Sequence, residues 1–226
     1  MEKLNIIYED NHIIVVEKPV NIPSQGDKTG DIDMLTLVKK YIKEKYNKPG
    51  EVYLGLVHRL DRPVGGVMVF AKTSKAAARL SEQVRVKEFK KKYLVIVDGK
   101  MDKKEDVLED YLLKNERNNI SKVVTEKTKN SKLAKLEYEV IKYKEEINLS
   151  VVKVKLLTGR HHQIRVQFAS RGHSVYGDQK YGTRGRGKQL SLWAYSLTLF
   201  HPITKEKMKF ERFPEKIGSW KILEEE

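Results

Sequence analysis

Strands and helices mixed without regular strand–helix–strand alternation predict an α+β fold: a mixed, largely antiparallel central sheet with flanking helices and loops. Three observations carry this. Short β-branched, apolar runs recur along the 226 residues, only a few stretches show helical spacing, and no repeat of 20–50 residues is visible. No composition shift marks a boundary, so a single domain over residues 1–226 is expected.

The elements follow in order. Residues 4–8 and 12–17 read as strands joined by the turn formers Glu9-Asp10-Asn11. Lys18-Pro19 ends the second strand, and residues 22–26 are loop. A helix is predicted over 34–46, capped by Asp33, with Leu35, Val38 and Ile42 on its inner stripe. Lys48-Pro49-Gly50 stops it. A Pro63–Gly66 turn hands the chain to the apolar run 67–71, and Thr73 or Ser74 caps a second helix through Val84, with Ala77, Leu80 and Val84 inward. Strands follow at 92–97, near 107–112, at 134–144 and at 148–157. Residues 115–132, rich in lysine and asparagine, read as an exposed hairpin or loop. A helix opens near His162 and ends at Arg171-Gly172, and a last strand covers 190–200.

Composition narrows the function. Forty-five lysines and arginines against 31 acids give a formal charge of +14 and a pI near 9.6, which points to nucleic acid as partner. The cations cluster at 85–92 and 184–188, where Gly185 and Gly187 let Arg184, Arg186 and Lys188 approach phosphates closely. Without cysteine there is no disulfide framework, thiol nucleophile or cysteine metal site. No 18-residue apolar run and no apolar leader near Met1 are present, so a soluble, cytoplasmic protein without membrane contact is expected.

The most informative stretch is His58-Arg59-Leu60-Asp61-Arg62-Pro63-Val64-Gly65-Gly66. In an extended segment Arg59 and Asp61 point to one side and Leu60 to the other. An aspartate flanked by two arginines should stay ionised, which suits a nucleophile or base. Two further segments stand out. Tyr93, Val95 and Val97 share a strand face, and Thr158-Gly159-Arg160-His161-His162-Gln163-Ile164-Arg165 leads a helix in which Ile164 and Phe168 bury one side. Arg165 lies beside that stripe with its guanidinium reaching inward. The adjacent histidines point in different directions and lack a third ligand, so no metal is expected.

These three segments, in this order, resemble the motifs of the RluA-like RNA pseudouridine synthases, over about residues 6–202. The resemblance implies that Asp61 is the essential catalytic residue, that Tyr93 packs on the target base, and that Arg165 pairs with Asp61. It also matches Gly177-Asp178 and Tyr181-Gly182, where Asp178 is expected to hold its loop together. Pro63-Val64-Gly65-Gly66 stands where many members have a Thr-Ser-Gly turn. The implied activity is isomerisation of uridine to pseudouridine in ribosomal or transfer RNA, by a monomer that needs no cofactor. Arg59, Arg62, Arg160, His162, Arg184, Arg186 and Lys188 are the expected RNA-binding residues. The match begins so near Met1 that no accessory N-terminal RNA-binding domain is expected. A non-catalytic RNA binder would not need Asp61, Tyr93 and Arg165 together, and a methyltransferase would need a glycine-rich cofactor loop that the chain lacks.

Overall fold

The computed structural model describes residues 4–183 and 185–224, which divide into two compact units. Among these, one is drawn from residues up to 91 together with 194–213, the other from residues 92–193 and from 214 onward.

The first unit is a sheet with two helices. Its strands are β1 (Asn5–Glu9), β2 (Ile13–Lys18), β3 (Gly55–Leu56), β4 (Gly65–Ala71), most of β10 (Leu192–Phe200) and β11 (Lys207–Glu211). They run in the order β1-β2-β4-β10, with β11 on β10 and β3 on β4. The β1–β2, β2–β4, β3–β4 and β10–β11 ladders are antiparallel. Asp10 turns the first hairpin, its Oδ1 accepting from the His12 and Ile13 amides at 2.7 Å.

Both helices start where their caps predict. Asp33 accepts from the Thr36 amide ahead of α1 (Met34–Lys45), and Thr73 from the Ala76 amide ahead of α2 (Ser74–Arg85). Their inner faces are rotated from expectation. Met34 is buried with Val38 and Ile42, while Leu35 is only half-buried. In α2, Ala76, Leu80 and Gln83 face inward, and Val84 is exposed. Gln83 is inside because its amide bonds both backbone groups of Phe200, donating at 2.7 Å and accepting at 2.8 Å. A polar side chain that completes a strand's ladder can be buried at little cost. Ala76 and Leu80 join Ile13, Val15, Val67, Val69, Phe89, Leu197 and Leu199 in one core.

The second unit carries β5 (Lys90–Asp98, nearly all of it), β6 (Glu105–Asn115), β7 (Ile120–Val124), β8 (Lys132–Lys144) and β9 (Leu149–Leu156), in the order β5-β9-β8-β6-β7. The β6–β7, β6–β8 and β8–β9 ladders are antiparallel. The α+β expectation holds, and the polar 115–132 stretch is a hairpin whose return strand is β7. On β9, Val152 and Val154 are buried and Lys153 is exposed, as alternation predicts. The helix α3 (Gln163–Ala169) is shorter than expected and buried all round, with Gln163 to Phe168 inside. Val166 packs with Leu112 and Ala134. Strands β3 and β11 escaped the sequence reading: one has two residues, the other alternates lysines with only Met208 and Phe210 inward.

Candidate active site

Asp61 sits in a turn between β3 and β4. Its carbonyl accepts from the Val64 amide at 2.9 Å, so the turn spans 61–64, two residues earlier than expected, and Asp61 opens it. Leu60 is buried, Arg59 exposed and Asp61 half-buried, which preserves the alternation read from the sequence.

Three buried polar side chains fix the backbone around this aspartate. Ser24 Oγ donates to the Leu60 carbonyl at 2.8 Å and accepts from the Leu60 amide at 3.1 Å. His58 Nε2 accepts from the Val69 amide at 3.1 Å, and its ring packs against Phe89. Lys18, wholly buried, donates to the carbonyls of Pro19 at 2.9 Å, Arg62 at 3.0 Å and Val64 at 2.7 Å. All three ammonium donors are used on carbonyls in and beside the turn.

The charges around Asp61 differ from expectation. Arg62, one of the two arginines expected to keep Asp61 ionised, turns its guanidinium to the loop before α1. It pairs with Asp31 and lies 3.9 Å from Asp27, and it donates to Thr29 Oγ1 and the Asn21 carbonyl. Two acids and a carbonyl on one loop outbid a single carboxylate next door in sequence. The buried Lys18 lies close enough to Asp61 for the two charges to act on each other. Burial pushes its ammonium down to about 7, the Asp61 carboxylate opposes this, and Arg62 adds to it. Burial, with a smaller push from Lys91, brings His58 down to about 3, so the ring is a neutral acceptor for Val69.

The second unit arranges the other motif residues. Tyr93 is buried on β5, where Leu94 to Val97 are buried on both faces. Arg165 is buried on α3 and meets Asp178 side-on: Nε donates to Oδ2 and Nη2 to Oδ1, both at 2.7 Å. Asp178 Oδ1 also accepts from the Lys180 and Tyr181 amides at 2.8 and 3.1 Å. It does hold its loop together, and the same carboxylate grips Arg165. The Tyr181 ring lies under the guanidinium, 5.2 Å from its carbon.

The adjacent histidines are not splayed. Because His162 is left-handed (φ 52°), the two rings stack with centroids 3.7 Å apart. His162 Nδ1 bonds the Tyr181 hydroxyl at 2.8 Å, and burial, Arg165 and His161 bring it down to about 2. It is a neutral buried group at the start of α3. Arg160 is exposed, with Nε donating to the Leu133 carbonyl at 2.8 Å. Arg186 pairs with Asp98 at 3.0 Å while half-exposed, Lys188 is exposed, and Arg184 lies outside the described residues. Among the described residues no three acid, histidine or cysteine side chains are grouped to hold a metal ion. No described helix is long and apolar enough to cross a membrane.

Residues 12–170, which include Asp61, Tyr93 and Arg165, match the sequence profile described as RNA pseudouridylate synthase. The chain belongs to that family. The dual-specificity RNA pseudouridine synthase RluA of Escherichia coli is 33% identical over 214 residues, covering 92% of each chain. The ribosomal large subunit pseudouridine synthase C of Haemophilus influenzae is 32% identical over 213 residues, covering 91% of this chain and 63% of that one. The chain thus spans about two thirds of the length of several of these relatives. The structure of human RNA pseudouridylate synthase domain containing 4 shares the fold, with a TM-score of 0.77, 22% identity, and coverage of 93% and 89%.

The sequence alone neither marks Lys18 and Ser24 as supports of Asp61 nor pairs Asp178 with Arg165. One signal was available: a lysine closing the run Ile13-Ile14-Val15-Val16-Glu17-Lys18 is an odd tenant of a buried strand. Ser24 carried none.

Proposed function

We propose that this chain isomerises uridine in RNA to pseudouridine, with Asp61 as the catalytic group, acting on ribosomal or transfer RNA. The observation that carries the reading is the Asp61 turn. A half-exposed carboxylate opens it, while Lys18, Ser24 and His58 hold the backbone on either side from within the core. Rigid support of one reactive group is what a positioned nucleophile or base requires. A chain that only bound RNA would have no use for it.

The target nucleotide is turned out of its stack into the site. Asp61 starts glycosidic cleavage, either by attack on the ribose C1′ or by removal of the 2′ proton to give a glycal. Arg165 pairs with Asp61 and orients it, as family membership implies. The guanidinium has five N–H donors, of which Asp178 takes two. Tyr93 packs against the uracil, a flat apolar face with a polar tip. The base turns, C5 bonds to C1′, and the C5 proton leaves while N1 gains one. The conversion is redox-neutral and needs no cofactor. Arg59, Arg160, Arg186 and Lys188 provide exposed charge for the RNA backbone.

Release of tritium from C5-labelled uridine in RNA tests the reading. Asp61→Asn is nearly isosteric but cannot attack or take a proton strongly. It should lower turnover by several orders of magnitude and leave folding intact. Activity within about tenfold of wild type, roughly 1.4 kcal/mol of barrier, would remove Asp61 from its role.

A further inference from the structure

The second unit contains a chain of contacts that ends on Arg165 and begins on the β6–β7 hairpin. Ser121 on β7 donates its amide to the Tyr181 hydroxyl at 2.7 Å. That hydroxyl also bonds His162 Nδ1 at 2.8 Å, and the two rings meet edge to face. The Ser121 hydroxyl in turn bonds His161 Nδ1 at 2.9 Å and donates to the His161 carbonyl at 3.0 Å. The tyrosine ring so anchored lies under the Arg165 guanidinium, whose edge is held by Asp178.

Arginine has four side-chain torsions, and burying it gives up more rotamer freedom than most side chains possess. One bidentate partner fixes the plane of the guanidinium along one edge. A ring beneath the plane fixes its tilt. Together they leave the guanidinium one orientation, and neither contact consumes the remaining N–H donors. Asp178 is itself fixed, because two backbone amides of its own loop donate to its Oδ1. Tyr181 is fixed by two elements remote in sequence, β7 and the start of α3.

We propose that Asp178 and Tyr181 are positioning residues for Arg165, and that Tyr181 ties the orientation of this arginine to the β6–β7 hairpin through Ser121. The inference rests on the pseudouridine synthase reading and extends it. The hairpin, whose loop carries Arg117 and whose strands carry Lys114 and Lys122, becomes part of the apparatus that aligns the site. A displacement of about 1 Å in a catalytic constellation costs on the order of 100-fold, so losing either restraint should appear in turnover before it appears in binding.

Tyr181→Leu removes ring and hydroxyl, Tyr181→Phe removes only the hydroxyl, and Asp178→Asn keeps shape while weakening the grip. Single-turnover tritium release and RNA affinity are measured on the full chain. Tyr181→Leu and Asp178→Asn should each lose on the order of 100-fold in rate, with RNA Kd unchanged within about twofold. Tyr181→Phe keeps the ring but cuts the link to Ser121, so it should recover only part of the loss, and full wild-type activity in it would refute the tie to the hairpin. A second readout does not need activity. Hydrogen exchange of the Arg165 Nε–H, followed by NMR, should speed up about tenfold or more in Tyr181→Leu while other side-chain signals stay in place. Rates within threefold of wild type in both Leu and Asn variants, or unchanged Arg165 exchange, would overturn the proposal. So would losses that reside in Kd. If wild type is active, Asp61→Asn is dead and the Tyr181 variants are normal, only this proposal fails. If wild type itself releases no tritium, both readings fall.

Discussion

Lys18 Nζ donates to the Val64 carbonyl at 2.7 Å, 46 residues away, from a side chain with no solvent exposure. The same ammonium reaches the Arg62 carbonyl, so one buried lysine closes the turn that Asp61 opens. A charge in the core is tolerated because every donor is satisfied and a carboxylate lies near.

Lys18→Met keeps most of the volume but leaves the Pro19, Arg62 and Val64 carbonyls without this donor. Each unsatisfied buried acceptor costs about 1–3 kcal/mol, offset in part because a buried charge is removed. A net loss of roughly 2–4 kcal/mol is expected, with turnover reduced as the Asp61 turn loosens. Urea unfolding measures the first effect, and a change under about 0.5 kcal/mol would show that the lysine is dispensable.

Gly66 occupies φ 125°, and a Cβ there would lie 2.2 Å from the Ala194 carbonyl oxygen. The clash is with backbone of a neighbouring strand, which cannot step aside. Gly66→Ala should therefore destabilise by more than about 3 kcal/mol and yield little soluble protein. Gly30→Ala is the control, also at positive φ (73°) but with nothing within 4 Å. Equal expression and melting of the two variants would contradict the close-packing argument.

Acid should destabilise this fold early. His58 and His162 are held down to about 3 and about 2 in the folded chain, while in the unfolded chain each titrates near 6.5. Below 6.5 the unfolded state binds more protons, so the stability these groups carry is complete above that pH and drains away as pH falls toward the folded values. Each adds a slope of up to about 1.4 kcal/mol per pH unit in that window. Urea midpoints at pH 7.5 and 5.0 test this. His58→Gln should show a shallower dependence than wild type, and an identical slope would exclude His58 as a contributor.

RNA affinity should fall steeply with salt. With a formal charge of +14, the grip on RNA should be mostly to phosphates, giving a log–log slope near −0.7 per single-strand contact. Charge reversal at Lys188, which is exposed, should weaken all RNAs about equally and leave selection of uridine unchanged. Arg186→Glu should do more, since it also sets two acids, Asp98 and the new glutamate, against each other. A nearly flat salt dependence would refute a backbone-dominated grip.

The sequence by itself determined where the two long helices begin and which stretches are strand or helix for most of the chain. Asp33 and Thr73 cap the two long helices because a short polar side chain can reach the orphan amides of a first turn, a constraint that acts over three residues. The same local logic put Asp61 beside a turn with Leu60 inward, and put Arg165 on an inward-facing helix. Only the tertiary structure decided partners. Asp61 has an arginine on either side in sequence, yet Arg62 goes to Asp31, and a lysine 43 residues back, Lys18, comes close enough to feel the Asp61 carboxylate. Gln83 is buried because Phe200, 117 residues later, offers it both backbone groups. The adjacent histidines stack because one residue turns left-handed. Short-range steric rules act within a turn of chain and can be read along it. The pairing of buried polar groups depends on which acceptors the packed fold places within 3 Å, and every cation in a chain with 45 of them is a candidate until the fold excludes it.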